Sequence, residues 1–300
     1  MAILRSLLLL VLLLVLPAAC LSFHQGPMPG EPKDATWLTV QGARVRYVDV
    51  GKGPAVVLLH GFASSLETWS GLLPELARDH RVIAMDLKGF GWTDRPAGDY
   101  SPEAQARLVR AVLDARGVER AAVVAHSWGS SVALALALME PERTTRIVLY
   151  DAWVYDDQLP PFFRWSMVPG IGEALFALYY KERPDDRLAL GFRDRRAVTQ
   201  KLAEDVDRAL DRPGTTAAAL AAVRGEHFDR LERRYRDIHQ SVLLLWGSED
   251  GVALPQYAER LQHELPSART EWFPQCGHFP MLEAPAQSQA AVRAFLKEAP

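Results

Sequence analysis

The sequence predicts an α/β protein: a mostly parallel central sheet, helices on both faces, and a helical insertion over one edge. Three observations carry this expectation. Short apolar runs such as "AVVLLHG", "RAAVVAHS" and "SVLLLWG" lack polar alternation, which suits strands buried on both faces. They alternate with amphipathic stretches of helical length, the pattern of βαβ units. The rhythm fails between Trp153 and about His239, where no convincing buried strand occurs.

In chain order, "TWLTV" and "RVRYVDV" read as a hairpin pair around Gly42. "AVVLLHG" is a strand, "LETWSGLLPELARD" a helix and "RVIAMDL" a strand. Ser101 and Gly117 bracket the helical "SPEAQARLVRAVLDARG" as N-cap and closing glycine. "RAAVVAHS" is a strand, a helix starts at Trp128, and "RIVLYDA" is the next strand. "SVLLLWG" and "ARTEWF" complete the strands, and Pro285 to Glu298 form a closing helix. The expected core is therefore 36–152 plus 240–300, with 153–239 as a helical cap whose charges form its solvated outer face.

The N-terminus reads separately. One Arg precedes ten apolar residues, Leu7 to Leu16, and then small residues. That run is too short to span a bilayer and fits a signal-peptide core over residues 1–20. Cys20 follows small residues, as in a bacterial lipoprotein signal, although Pro17 departs from that pattern. The expectation is an exported protein, with membrane anchoring through lipidated Cys20 as one form. Residues 21–35 read as a Pro/Gly-rich linker. A net charge of −3 gives no electrostatic footprint for nucleic acid, and two cysteines cannot build a disulfide framework.

The chemistry centres on "AHSWG". Ser127 stands where a strand runs straight into a helix, between small residues that a tight turn requires. A serine there could be only an N-cap. A nucleophilic serine needs a base, and the base needs an orienting acid. His278 follows the last strand, and Asp250 lies three residues past Gly247. Asp151, at the end of "RIVLYDA", is the main rival acid, and Glu249 adjoins Asp250. Two backbone N–H groups should stabilise a developing oxyanion, and Trp128 and Phe62 are the candidates.

Five ordered motifs, "HGFASSLETW", "DLKGFGWTDRP", "AHSWGSSVALALA", "WGSEDGVALP" and "CGHFPMLEAP", resemble the α/β-hydrolase superfamily, in its small, helical-capped, serine esterase-like branch. The order Ser127, Asp250, His278 is that of the family. The resemblance implies the α/β-hydrolase fold, acyl transfer through the three residues, and loop-bracing roles for Asp86 and Glu283. The segment from Asp86 to Pro96 also resembles haloalkane dehalogenases and epoxide hydrolases, whose nucleophile is an aspartate where this chain has Ser127. "SWGS" is similar to proline iminopeptidases, which would need cap acids such as Asp156, Asp157 or Glu173 to hold an amine.

The apolar cap entrance, Leu159 to Met167, suits an acyl or alkyl chain, with Phe162, Phe163, Trp165 and Phe279 as candidate substrate contacts. The expected substrate is a carboxylic ester of short to medium chain. Hydrolysis of a carbon–carbon bond in a dienoic ketone acid is the enzymatic rival, although such hydrolases often carry tryptophan where this chain has Phe279. A non-catalytic ligand-binding protein is the rival from another class. No metal and no diffusible cofactor is expected. His126 reads as a packed elbow residue, His80, His227, His239 and His263 as surface residues, and Cys276 as non-catalytic.

Overall fold

A computed structural model describes residues 21–182 and 184–298. The signal-like run and Cys20 lie outside the described residues. Among the described residues, no helix is long and apolar enough to cross a membrane.

Eight strands form one sheet: β1 (Thr36–Val40), β2 (Ala43–Gly51), β3 (Ala55–Leu59), β4 (Arg81–Met85), β5 (Ala121–His126), β6 (Thr144–Tyr150), β7 (Ser241–Gly247) and β8 (Ala268–Phe273). Their spatial order is β1-β2-β4-β3-β5-β6-β7-β8. β1 and β2 pair antiparallel as a hairpin, β2 meets β4 antiparallel, and all later pairs are parallel. The chain leaves β3 for β4 on one side and returns to β5 on the other. The carboxyl ends of β3 and β5 therefore flank the switch in direction, where open α/β sheets bind ligands.

Side-chain alternation divides the core into two layers. Val57 and Leu59 of β3 face one layer, with Val109, Val112, Val132 and Leu136 from helices Pro102–Ala115 and Gly129–Met139. Val56 and Leu58 face the other, with Trp69, Leu72, Val292 and Phe295. Helix Gly129–Met139 is buried continuously from Gly129 to Ala137. It is apolar all round because it is wedged between the sheet and helix Pro102–Ala115. Ser101 caps the latter helix, its side chain accepting from the Ala104 N–H at 3.2 Å, and Gly117 closes it at φ +63°.

Three expectations need correction. The single helix over 66–79 is two pieces, a 3₁₀ turn Leu66–Trp69 and a short helix Leu72–Leu76. Pro74 has no N–H to return to the Ser70 carbonyl, so a continuous helix fails there. Helix Gln256–Glu264 was not expected, because only Tyr257, Ala258 and Leu261 bury an apolar face in a charged stretch. Residues 21–35 are not a loose linker. His24 bridges to Arg95, Met28 is buried, and Phe23 stacks on Tyr100 at 6.1 Å.

Between β6 and β7 the described chain forms helices and 3₁₀ turns with no strand. Helices Ile171–Tyr179 and Thr215–Arg224 are tied by the Arg224 guanidinium, which donates to both Glu173 carboxylate oxygens at 2.6 and 2.8 Å. Those bonds hold the Glu173 carboxyl down at about 2. A depressed carboxylate stabilises the fold above its ordinary value near 4.5, and that stability is lost as pH falls toward 2. The pair is partly exposed, so it contributes about 1 kcal/mol at most. Glu173→Gln should lower the thermal midpoint at pH 7 by roughly 1–4 °C. Melts repeated between pH 5 and 3 should show the gap from wild type closing.

Candidate active site

Ser127 is the first residue past β5 and adopts φ +52°, a left-handed backbone that a serine rarely takes. Its N–H donates to the Tyr150 carbonyl at 2.8 Å. Its own carbonyl accepts from Ser130 and Trp153 at 2.9 and 3.1 Å. Three backbone hydrogen bonds thus hold the turn, which sits between a fully buried strand and a buried helix.

Glycines set how close the neighbouring loop can come. A Cβ on Gly129 would lie 2.4 Å from the His60 carbonyl oxygen, and one on Gly61 would lie 3.0 Å from Ser127 Cβ. The end of β3 therefore lies against the elbow and brings Phe62 to it. Among the described residues, neither the Phe62 nor the Trp128 N–H donates to a backbone carbonyl.

His60, just before this loop, is buried and structural. Its Nδ1 donates to the Gly61 carbonyl at 2.7 Å, and its Nε2 accepts from the Leu87 N–H at 2.9 Å. Burial lowers its pKa, consistent with a neutral ring. Asp86 accepts from the Leu66 and Trp92 N–H groups, both at 2.8 Å, and so braces two loops beside it.

His278 comes to the elbow from the loop after β8. The His126 ring nitrogen Nε2 donates to the His278 carbonyl at 2.8 Å, and the two rings lie 4.8 Å apart. His278 Nδ1 donates to Asp250 Oδ2 at 2.8 Å. The other Asp250 oxygen accepts from Val252 and Ala253 N–H groups at 2.7 and 3.0 Å. The imidazole is thereby oriented through its Nδ1. Ser127, Asp250 and His278 are all buried.

The rival acids are placed elsewhere. Glu249 is exposed and pairs with Arg193 at 3.1 Å. Asp151 is fully buried beside Asp250, with Oδ1 accepting from the Gly247 N–H at 2.9 Å. Glu283 accepts from Gly277 and Arg193 N–H groups at 2.9 and 3.0 Å, fixing the histidine loop. Cys276 is buried, and burial pushes its thiol up to about 11, so it is inert at neutral pH.

Phe62 is the hub of an aromatic cluster joining core and cap. Its ring lies 5.2 Å from Phe90, 5.3 Å from Phe163 and 6.4 Å from both Trp128 and Tyr180. Phe162 joins through Phe163 at 6.0 Å. Phe279 packs on His126, His278 and the cap's Phe192 at 5.1, 5.4 and 4.9 Å. Trp165 stands apart, 63% exposed on the cap. The structure thus puts Phe279 against the elbow, joins Phe163 to Phe62 with Phe162 behind it, and leaves Trp165 outside.

Sequence reading missed two contacts. The Gly191 carbonyl of the cap accepts from the His278 N–H at 2.6 Å, and Trp153 bonds the elbow as described above. Neither has a side-chain signature, because both bonds are made by backbone. His80 is buried rather than on the surface and bonds to Asp79 at 2.9 Å. His227, His239 and His263 are exposed.

A profile of the alpha/beta hydrolase fold matches residues 54–285. The chain belongs to the α/β-hydrolase superfamily. It is 31% identical to the 2-hydroxymuconate semialdehyde hydrolase of Pseudomonas sp. (strain CF600), over 89% of this chain and 95% of that protein. It is 29% identical to the pimeloyl-[acyl-carrier protein] methyl ester esterase of Nitrosomonas europaea, over 82% and 96%. Among solved structures, the meta-cleavage product hydrolase CumD of Pseudomonas fluorescens IP01 superposes with a TM-score of 0.77. That pair shares 28% identity, over 88% of this chain and 98% of that one.

Proposed function

We propose that this α/β-hydrolase is a serine hydrolase that cleaves a carboxylic ester with a short to medium apolar acyl or alkyl chain. The observation that carries the mechanism is the oriented His278–Asp250 pair bonded to the strained serine elbow. His278 Nε2 takes the Ser127 proton as Oγ attacks the carbonyl. The Phe62 and Trp128 N–H groups hold the oxyanion, the latter at the positive end of a buried helix. Asp250 steadies the imidazolium, which then gives its proton to the departing alcohol. Water, activated by the same histidine, releases the acyl group from Ser127.

The ester preference rests on the apolar, aromatic surroundings of Phe62 and Phe279. The cap acids that could hold a substrate amine have other partners: Asp156 accepts from the Phe228 N–H, Asp157 pairs with Arg260, and Glu173 pairs with Arg224. That favours an ester over an aminopeptidase substrate. A second reading is carbon–carbon bond hydrolysis, favoured by the likeness to the muconate semialdehyde hydrolase and to CumD.

A nitrophenyl ester series from C2 to C12, run beside a chromophoric dienoic ketone acid, separates the two. Ester turnover with a chain-length optimum and no bleaching of the dienoate supports the first reading. Faster loss of the dienoate chromophore would replace it with the second. The apolar run before residue 21 further leads us to propose that the enzyme works outside the cytoplasm, anchored or secreted.

A further inference from the structure

Asp151 is a buried titratable group that the triad mechanism leaves unused. It follows β6 at φ +44°, a left-handed backbone, and is fully buried. Its Oδ1 accepts from the Gly247 N–H, yet among the described residues no donor reaches its Oδ2. An ionised oxygen in that state forgoes the hydrogen bonds it makes in water, a cost that protonation removes. One oxygen of Asp151, one of Asp250 and a ring nitrogen of His278 all lie within 4.8 Å of one another. Two carboxylates buried this close repel, which favours a proton on the one that lacks donors.

The remaining neighbours point the same way. Burial first, and then the charge of Asp250, push the Asp151 carboxyl well above the ordinary carboxylate range. The charge of Glu283 raises the Asp151 carboxyl further, while Tyr150 and Cys276 are neutral at physiological pH. His278 is the nearby group that becomes cationic during turnover. Asp250 already accepts three hydrogen bonds, from Val252, Ala253 and His278.

We propose that Asp151 is a positioning residue, a neutral acid that donates a hydrogen bond to Asp250 and replaces it as the anion facing His278 when Asp250 is neutralised. The proposal rests on the triad reading of Ser127, His278 and Asp250. In the intact protein the pair holds one proton and one negative charge. The Asp151 O–H steadies the carboxylate that orients the imidazole. In Asp250→Asn the like charge is gone, so Asp151 loses its proton more readily and supplies the anion one side chain away.

The test compares Asp151→Asn, Asp250→Asn and the double variant in the full chain, with folding checked by circular dichroism melts. The readout is the rate at which a fluorophosphonate labels Ser127 between pH 5 and 10, which is independent of the natural substrate. Asp151→Asn should stay within about 3-fold of wild type, because its amide N–H donates as the acid does. Asp250→Asn should fall by on the order of 10³–10⁴ near pH 6 and recover roughly 10-fold or more through one ionisation as pH rises. The double variant should lack that recovery. If the double variant fails to fold, Asp151→Ser in the Asp250→Asn background serves in its place. Identical pH profiles for Asp250→Asn and the double variant would overturn the proposal while leaving the triad intact. So would an Asp151→Asn variant as slow as Asp250→Asn. A wild type that takes no label would overturn the triad reading and this proposal together.

Discussion

Ser127→Ala is expected to lower kcat for ester hydrolysis by on the order of 10⁴–10⁶ while leaving the fold intact. Among the described residues, the bonds that hold the elbow are made by the Ser127 backbone and not by its Oγ. The turn is held by the backbone bonds to Tyr150, Ser130 and Trp153, all of which an alanine keeps. Any surviving rate would come from Phe62 and Trp128, whose N–H groups still polarise a bound carbonyl. Parallel kinetics and thermal melts check the prediction. A large fall in kcat with an unchanged midpoint is the expected pair of results. A variant that keeps wild-type turnover would remove Ser127 from the chemistry.

Gly129→Ala should be the most damaging small substitution near the site. Its Cβ would meet backbone on three sides: the His60 oxygen at 2.4 Å, the Leu59 oxygen at 2.9 Å and the His60 carbonyl carbon at 3.1 Å. None of these is a flexible side-chain tip, so β3 and the buried helix must separate. Overpacking of this kind costs about 1–3 kcal/mol. The separation also moves Phe62 away from the serine, and a displacement near 1 Å in a positioning group costs roughly 10²-fold in rate. Denaturant melts and kcat/KM together check this outcome. Gly71→Ala, which meets only the Gln289 amide at 3.8 Å, is the neutral control.

Much of the sheet was legible in the sequence because β3, β5 and β7 are short runs, apolar on both faces and rich in β-branched or aliphatic residues. The bonded pair His278–Asp250 was legible because both residues follow strands in an order that places them on one sheet edge. The sequence favours Asp250 by chain order yet keeps Asp151 as a rival, since each follows a strand on that edge. Only the side-chain geometry does so, giving Asp250 the histidine and Asp151 the Gly247 N–H. The docking of residues 21–35 was hidden because it rests on contacts distant in sequence, such as Phe23 with Tyr100. Trp165 looked like a substrate contact because it shares a segment with Phe162 and Phe163. Helix Pro161–Ser166 turns those two phenylalanines toward the aromatic cluster and Trp165 to solvent.

The most direct test of the account is the site and rate of reaction with a fluorophosphonate, read by mass spectrometry of the peptide containing Ser127. The account predicts one phosphonyl group on Ser127 of the wild type. It also predicts that His278→Gln, which removes the base, slows labelling by at least 10²-fold. A label on another residue, or labelling of Ser127 at the same rate in His278→Gln, would contradict the claim that His278 activates this serine.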